Sequence, residues 1–264
     1  MDPSHDLDAV LGRCASAVFS FLDLVDATVL RATSVGMRAA VAAHAWDDAE
    51  TEVNQAPSSW RSSFPSAIAV RSRCADASWL RIFGGTRTAL LRASPLSRVT
   101  DDDVAALAGA ESVSLRLCSL PQSLSHAAFG PLRGRLRVLD VGQNAALCVT
   151  DALLAALAAG PGGSAPPPLA ELCFEMTDAS YVTAAGWAAL AGIRVLRAHG
   201  SRIRVTDGGL AALAAGGALE HLDLRKTDRS ALTDAGVLAA TQAGGVQVCD
   251  GGGGGSSRCS AHTP

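Results

Sequence analysis

The sequence predicts an α/β fold: a curved parallel sheet with helices along its outer side, built as a stack of short repeats and preceded by a small helical segment. Three observations predict it. Val/Leu-Thr-Asp recurs at Thr100, Thr150, Thr206 and Thr233, ahead of Ala/Leu runs, with weaker copies at Ser125 and Thr183. A second motif, an alternating apolar stretch closed by a small polar residue, runs in phase with the first. The composition, 48% hydrophobic over 264 residues, is ample for a core.

The first motif sets the period. Steps from Thr100 through Ser125, Thr150, Thr183 and Thr206 to Thr233 are 25, 25, 33, 23 and 27 residues. The one long step holds a Gly/Pro loop at 160–168, and its removal restores the period. Thr supplies an N-cap oxygen and Asp a negative charge at the positive end of a helix. Apolar residues follow at helical spacing, among them Val104/Leu107, Leu153/Leu157, Trp187/Leu190 and Leu210/Leu213. Gly109, Gly160, Gly192 and Gly216 fall where a helix end favours a left-handed residue.

The second motif supplies the strands. Leu136-x-x-Leu139-x-Val141-x-x-Asn144 repeats as Leu169/Leu172/Phe174/Thr177, Ile193/Leu196/Ala198/Ser201 and Leu219/Leu222/Leu224/Thr227, with a weaker copy at Ala110/Val113/Leu115/Cys118. Alternation makes a short strand buried on one side. The polar ninth residue can satisfy backbone groups where the chain turns away. Leu90, the Ile68/Val70 pair and Val246/Val248 mark eroded or terminal copies, giving about eight units from 64 to 249. This spacing fits a leucine-rich repeat. With the Thr-Asp-x-Gly-Leu caps, the chain resembles the cysteine-containing subclass of leucine-rich repeats, common in F-box proteins that serve ubiquitin ligases. Asn, Thr and Ser stand here for the subclass's Cys.

The N-terminus does not repeat. Val18-Phe19-Ser20-Phe21-Leu22-Asp23, Asp26, Val35, Arg38 and Trp46 are similar to an F-box, with helices expected near 8–22, 24–35 and 36–44. Val10-Leu11 replaces the usual Leu-Pro, and Met37 departs from the motif. The resemblance implies that Val18, Phe19, Phe21, Leu22, Leu24 and Val35 include both head core and contacts to the adaptor subunit of a cullin-type ubiquitin ligase. The alternative is that these residues only cap the first repeat, which would otherwise expose apolar surface. The expected organisation is a helical head at 5–50, a connector at 51–63, repeats at 64–249 and a disordered Gly-rich tail at 250–264.

Composition excludes other classes. With a formal net charge of −3 and no basic block, nucleic acid is not an expected partner. No apolar run reaches membrane-span length and the first residues are acidic, so an intracellular location, cytoplasmic or nuclear, is expected. Seven scattered cysteines without a Cys-x-x-Cys pair argue against disulfides and zinc. The six histidines have no ligand spacing, and no nucleophile elbow or phosphate loop occurs. No cofactor, metal or intrinsic catalysis is expected. The expected partner is a protein.

The repeat register also places its surface. Template positions three, five and seven face away from the core, toward the concave side. They put Arg116, Asp140, Glu171, Glu175, Arg197, His199, His221, Asp223 and Arg225 there, with Cys173 pointing outward. Glu171 and Glu175 should neighbour Arg197, and His199 should neighbour Arg225. Cross-strand charge pairing and a mixed-sign peptide-binding face are both consistent with this arrangement.

Overall fold

A computed structural model of the chain describes residues 17–48, 50–72, 77–82, 88–93, 99–132, 134–158, 169–244 and 247–249. Residues 5–16 of the expected head, the loop at 160–168 and the tail at 250–264 lie outside the described residues. In chain order the strands are β1 (Glu52–Val53), β2 (Ala69–Ser72), β3 (Thr88–Ala93), β4 (Ala110–Ser114), β5 (Val138–Asp140) and β6 (Cys148–Thr150). They continue as β7 (Glu171–Cys173), β8 (Asp178–Tyr181), β9 (Val195–Arg197), β10 (Arg204–Thr206), β11 (His221–Asp223), β12 (Asp228–Ala231) and β13 (Gln247–Cys249).

One sheet holds nine of these strands in the order β1-β2-β3-β4-β5-β7-β9-β11-β13, every pair parallel. Each in-phase copy of the strand motif contributes one strand, in sequence order. The fourth template residues pair across neighbouring strands, Val113 with Leu139, Leu139 with Leu172, Leu172 with Leu196 and Leu196 with Leu222. Short parallel pairs, β6 with β8 and β10 with β12, lie just ahead of the helices. The sheet starts earlier than expected. Residues 51–63 are no mere connector, because β1 pairs with β2 there and a helix, Pro57–Ser63, follows with proline in its first turn.

Helices Asp101–Ala105, Asp151–Ala158, Ala184–Ala189 and Asp207–Ala214 return the chain after successive strands. Their Val104, Leu153, Leu157, Trp187, Leu210 and Leu213 join Leu139, Leu172, Leu196 and Leu222 in one continuous buried cluster. Parallel strands need such crossovers, and stacking buries apolar faces no single unit could bury. The degraded copy at Ser125 forms a 3-10 helix, His126–Leu132, instead of an α-helix.

The ninth template residues are bonded, and all but the half-buried Thr227 are buried. Asn144 donates through Nδ2 to the carbonyls of Leu115 and Val141, both at 2.8 Å, and its Oδ1 accepts from Leu120 N at 3.1 Å. Thr177, Ser201 and Thr227 donate to the carbonyls three residues earlier at 2.6, 2.7 and 2.7 Å. Strand ends that would leave buried carbonyls unpaired are thereby satisfied.

The Thr-Asp pair does more than start helices. Thr206 caps its own helix, accepting from Gly209 N at 3.1 Å, as expected. Asp207, the next residue, accepts from the following unit's cap: from Thr233 N and Oγ1, both at 2.8 Å. Asp151 grips Thr183 in the same way, with its backbone N–H at 2.8 Å, and Asp101 accepts from Ser125 N at 2.9 Å. In the degraded unit His126 holds the aspartate's place, its Nε2 3.0 Å from Thr150 Oγ1. Room for this clamp comes from Gly186 and Gly236, where an added Cβ would lie 2.3 and 2.0 Å from Asp151 and Asp207 Oδ1. At the helix ends Gly192 (φ 146°) and Gly217 (φ 64°) take positive φ. Gly216 does not; it is needed because a Cβ would meet the Ala191 carbonyl at 2.3 Å.

The head joins this core without a break. Asp23 caps the helix Leu24–Arg31 by accepting from Val25 N and Asp26 N, and Ser34 caps Val35–Ala43. Phe19, Trp46, Phe64, Trp60 and Trp79 stack in sequence with centroid spacings of 5.4, 6.2, 5.9 and 5.5 Å. The Trp46 carbonyl accepts from Ile68 N and Ala69 N at 2.8 and 3.1 Å, at the start of β2.

Candidate functional site

The repeat register assigns nine charged and histidine side chains to the sheet face opposite the helices; half-buried His221 stands apart, and the other eight differ in their contacts. They divide into two groups. In the first, Arg116 at the end of β4 reaches over β5: its Nη2 donates to Glu175 Oε2 at 2.6 Å, and Nη1 lies 3.5 Å from Asp140 Oδ2. The crossing is possible because residue 142 is glycine. A Cβ there would meet Asp140 Oδ1 at 3.0 Å, Arg116 Nη1 at 3.3 Å and the Glu175 carbonyl at 3.4 Å.

Beneath this bridge lies Cys173, whose Sγ is 3.8 Å from Arg116 Nη1. The outward direction expected of Cys173 is right by register, yet the residue is only 6% exposed because the guanidinium covers it. Burial pushes its thiol up to about 12, with nearby Asp140 and Glu175 adding to the effect. A thiol so placed is no nucleophile.

The second group runs along β7, β9 and β11. Arg197 Nη1 makes a single long contact to Glu171 Oε2, at 3.7 Å. Glu175, expected beside Arg197, is instead taken by Arg116. Arg225 neighbours His199 in the register, its carbonyl accepting from Gly200 N at 2.8 Å, while its side chain folds back to bind Asp223 through Nε at 2.9 Å and Nη2 at 2.6 Å. Burial would raise the Asp223 carboxyl, but these bonds outweigh it and hold the group low. His199 Nδ1 is buried without a hydrogen-bond partner. Among the described residues no group of His, Cys, Asp and Glu could hold a metal ion, and no helix is long and apolar enough to cross a membrane.

The head residues also separate. Phe19 and Leu24 are buried, Leu22 is half-buried, and Phe21, Val35 and Val18 are exposed by 87%, 79% and 52%. Phe19 and Leu24 therefore form head core and offer no contact surface, since Phe19 packs on Trp46 and both lie within the buried cluster. Val25 and Val29, which the F-box resemblance does not single out, are also exposed. Their i, i+4 spacing opposite the buried Leu24 and Ala27 was available as a signal. Two further exposed apolar residues, Leu117 and Met176, occupy the eighth template position, where an outward side chain would ordinarily be polar.

No family model matches the sequence, and no curated protein matches it. Among solved structures, the chain is similar to one in the crystal structure of Rad7 and Elc1 complex in yeast, at a TM-score of 0.43 and 14% identity. The match covers 71% of this chain and 56% of that chain, so this chain spans little more than half of its length.

Proposed function

We propose that the chain is a protein–protein interaction module of the leucine-rich-repeat type and the substrate-recognition subunit of a cullin-type ubiquitin ligase. In this reading the F-box-like head docks the adaptor, the repeats bind a substrate protein inside the cell, and the chain performs no chemistry of its own. The observation that carries it is the head's division of apolar residues. Phe19, Leu24 and Ala27 anchor it internally, while Val18, Phe21, Val25, Val29 and Val35 remain exposed within one short segment. Exposed apolar side chains in such number support a docking surface.

The test is a biosensor titration of purified adaptor subunit over the immobilised chain. Binding is expected from the intact protein, and a loss of at least tenfold from Phe21→Asp and Val35→Asp, which touch no core. Failure of the intact protein to bind the adaptor rejects the ubiquitin reading. A second reading, a repeat scaffold whose head is only a cap, draws on the aromatic stack from Phe19 to Trp79, which seals the first strands. It predicts that the same two variants change nothing.

A further inference from the structure

The eighth residue of successive strand motifs forms a row along one rim of the sheet: Leu117, Gln143, Met176, Gly200 and Lys226. All five are left-handed, with φ of 60°, 58°, 53°, 64° and 56°. Only Gly200 takes this conformation without steric cost. Two members are large apolar side chains left in solvent, Leu117 at 51% and Met176 at 56% exposure. Met176 lies toward Gly200, where an added Cβ would be 3.3 Å from its Cγ, so the glycine leaves an open floor beside the thioether. Lys226 is exposed at the far end and makes no ion pair among the described residues.

The charges beside the row are arranged unevenly. Next to Met176, Glu175 is neutralised by Arg116 at 2.6 Å, and next to Lys226, Asp223 is neutralised by Arg225. These two carboxylates are thus occupied, and among the described residues the Lys226 ammonium makes no ion pair. His199 Nδ1, one residue before Gly200, has no hydrogen-bond partner, although the ring lies close enough to Asp223 to help hold that carboxyl low.

We propose that this rim is the substrate-reading edge, and that it takes a peptide in the polyproline II conformation with two apolar side chains followed by an acidic one. The proposal rests on the receptor reading above only in its sheet side and requires nothing of the head. Neighbouring strands are about 4.8 Å apart, and a polyproline II chain advances about 3.1 Å per residue with three residues per turn, so every third side chain faces the same way. Leu117 and Met176 are two strands apart, and so are Met176 and Lys226. Each interval, about 10 Å, therefore matches one three-residue turn of the peptide, about 9 Å. The recognised pattern is apolar-x-x-apolar-x-x-Asp/Glu, the apolar groups on Leu117 and on Met176 over Gly200, the carboxylate on Lys226.

The probe is a library of random dodecapeptides displayed on phage, panned against the immobilised full chain without adaptor. Enriched peptides should share that spacing. A synthetic copy, followed by fluorescence anisotropy, should bind Leu117→Ser/Met176→Ser at least tenfold more weakly and Phe21→Asp unchanged. Panning against Lys226→Glu should exchange the acidic position for Lys or Arg. Enrichment without the pattern, no enrichment, equal binding by the double variant, or an unaltered third position with Lys226→Glu each overturns the proposal. So does concentration-dependent self-association in sedimentation that Leu117→Ser/Met176→Ser abolishes, which would give the row to a second copy of the chain. Because Phe21→Asp affects only the adaptor test, failure of one reading is separable from failure of the other.

Discussion

At single residues the rim row shows how a repeat fixes a backbone conformation regardless of the side chain it must carry. Gln143 holds φ 58° because Val141 and Asn144 on either side are pinned in the core. A left-handed L-residue costs about 1–2 kcal/mol, and a glycine there returns part of that as unfolded-state entropy. Gln143→Gly should therefore stabilise the chain by about 0.5–1 kcal/mol, read as a rise in the urea midpoint at constant slope. Cys173 gives the opposite case, a reactive group silenced by its cover. Its thiol is raised from 9.0 to about 12 by burial, so at pH 8 iodoacetamide should leave it unmodified in the folded chain and alkylate it once urea unfolds the protein. Between those two values the folded thiol keeps a proton that the unfolded one has lost. Stability must therefore fall as pH rises through that window, and Cys173→Ser should flatten the decline.

At the scale of the helix and its cap, the clamp between Asp207 and Thr233 is the device that ties one unit to the next. Hydrogen bonds from the Thr233 backbone N–H and hydroxyl hold the Asp207 carboxyl below its ordinary value. A depressed carboxyl stabilises the folded state above the unfolded pKa and loses that contribution as pH falls through the folded one. Amide protection across Asp234–Gly244 should accordingly weaken on acidification, and Asp207→Ala should remove that dependence. The two glycines flanking this helix junction make a sharper test. Gly236→Ala puts a Cβ 2.0 Å from Asp207 Oδ1, so the clamp must open and the unfolding midpoint should fall. Gly208→Ala meets nothing within 4 Å and should gain about 0.5–1 kcal/mol from helix propensity. Equal effects of the two substitutions in thermal unfolding would remove the clamp from the account.

For the whole molecule, periodicity made the sheet legible before any coordinates: the apolar residues at Leu139, Leu172, Leu196 and Leu222 align on neighbouring strands because a period of 2 within motifs and about 25 between them leaves no other register. The face was legible for the same reason, but its pairings were not. Arg116 reaches Glu175 across an intervening strand, and that depends on the absence of a side chain at Gly142, which a strand-by-strand reading does not weigh. The head was the least legible, since an apolar segment without a repeat does not tell which residue faces inward. Phe19 and Phe21 make the point: two residues apart, one is enclosed by His44 and Trp46 and the other stands in solvent. Phe19→Ala should therefore destabilise the chain by about 3–4 kcal/mol and weaken adaptor capture only through loss of folded protein. Phe21→Asp should leave the unfolding midpoint unchanged and abolish capture directly. Calorimetry of both variants beside an adaptor titration distinguishes the two origins. If Phe21→Asp instead lowered the midpoint as far as Phe19→Ala, the exposed segment would be part of the fold, and the head would be a cap and nothing more.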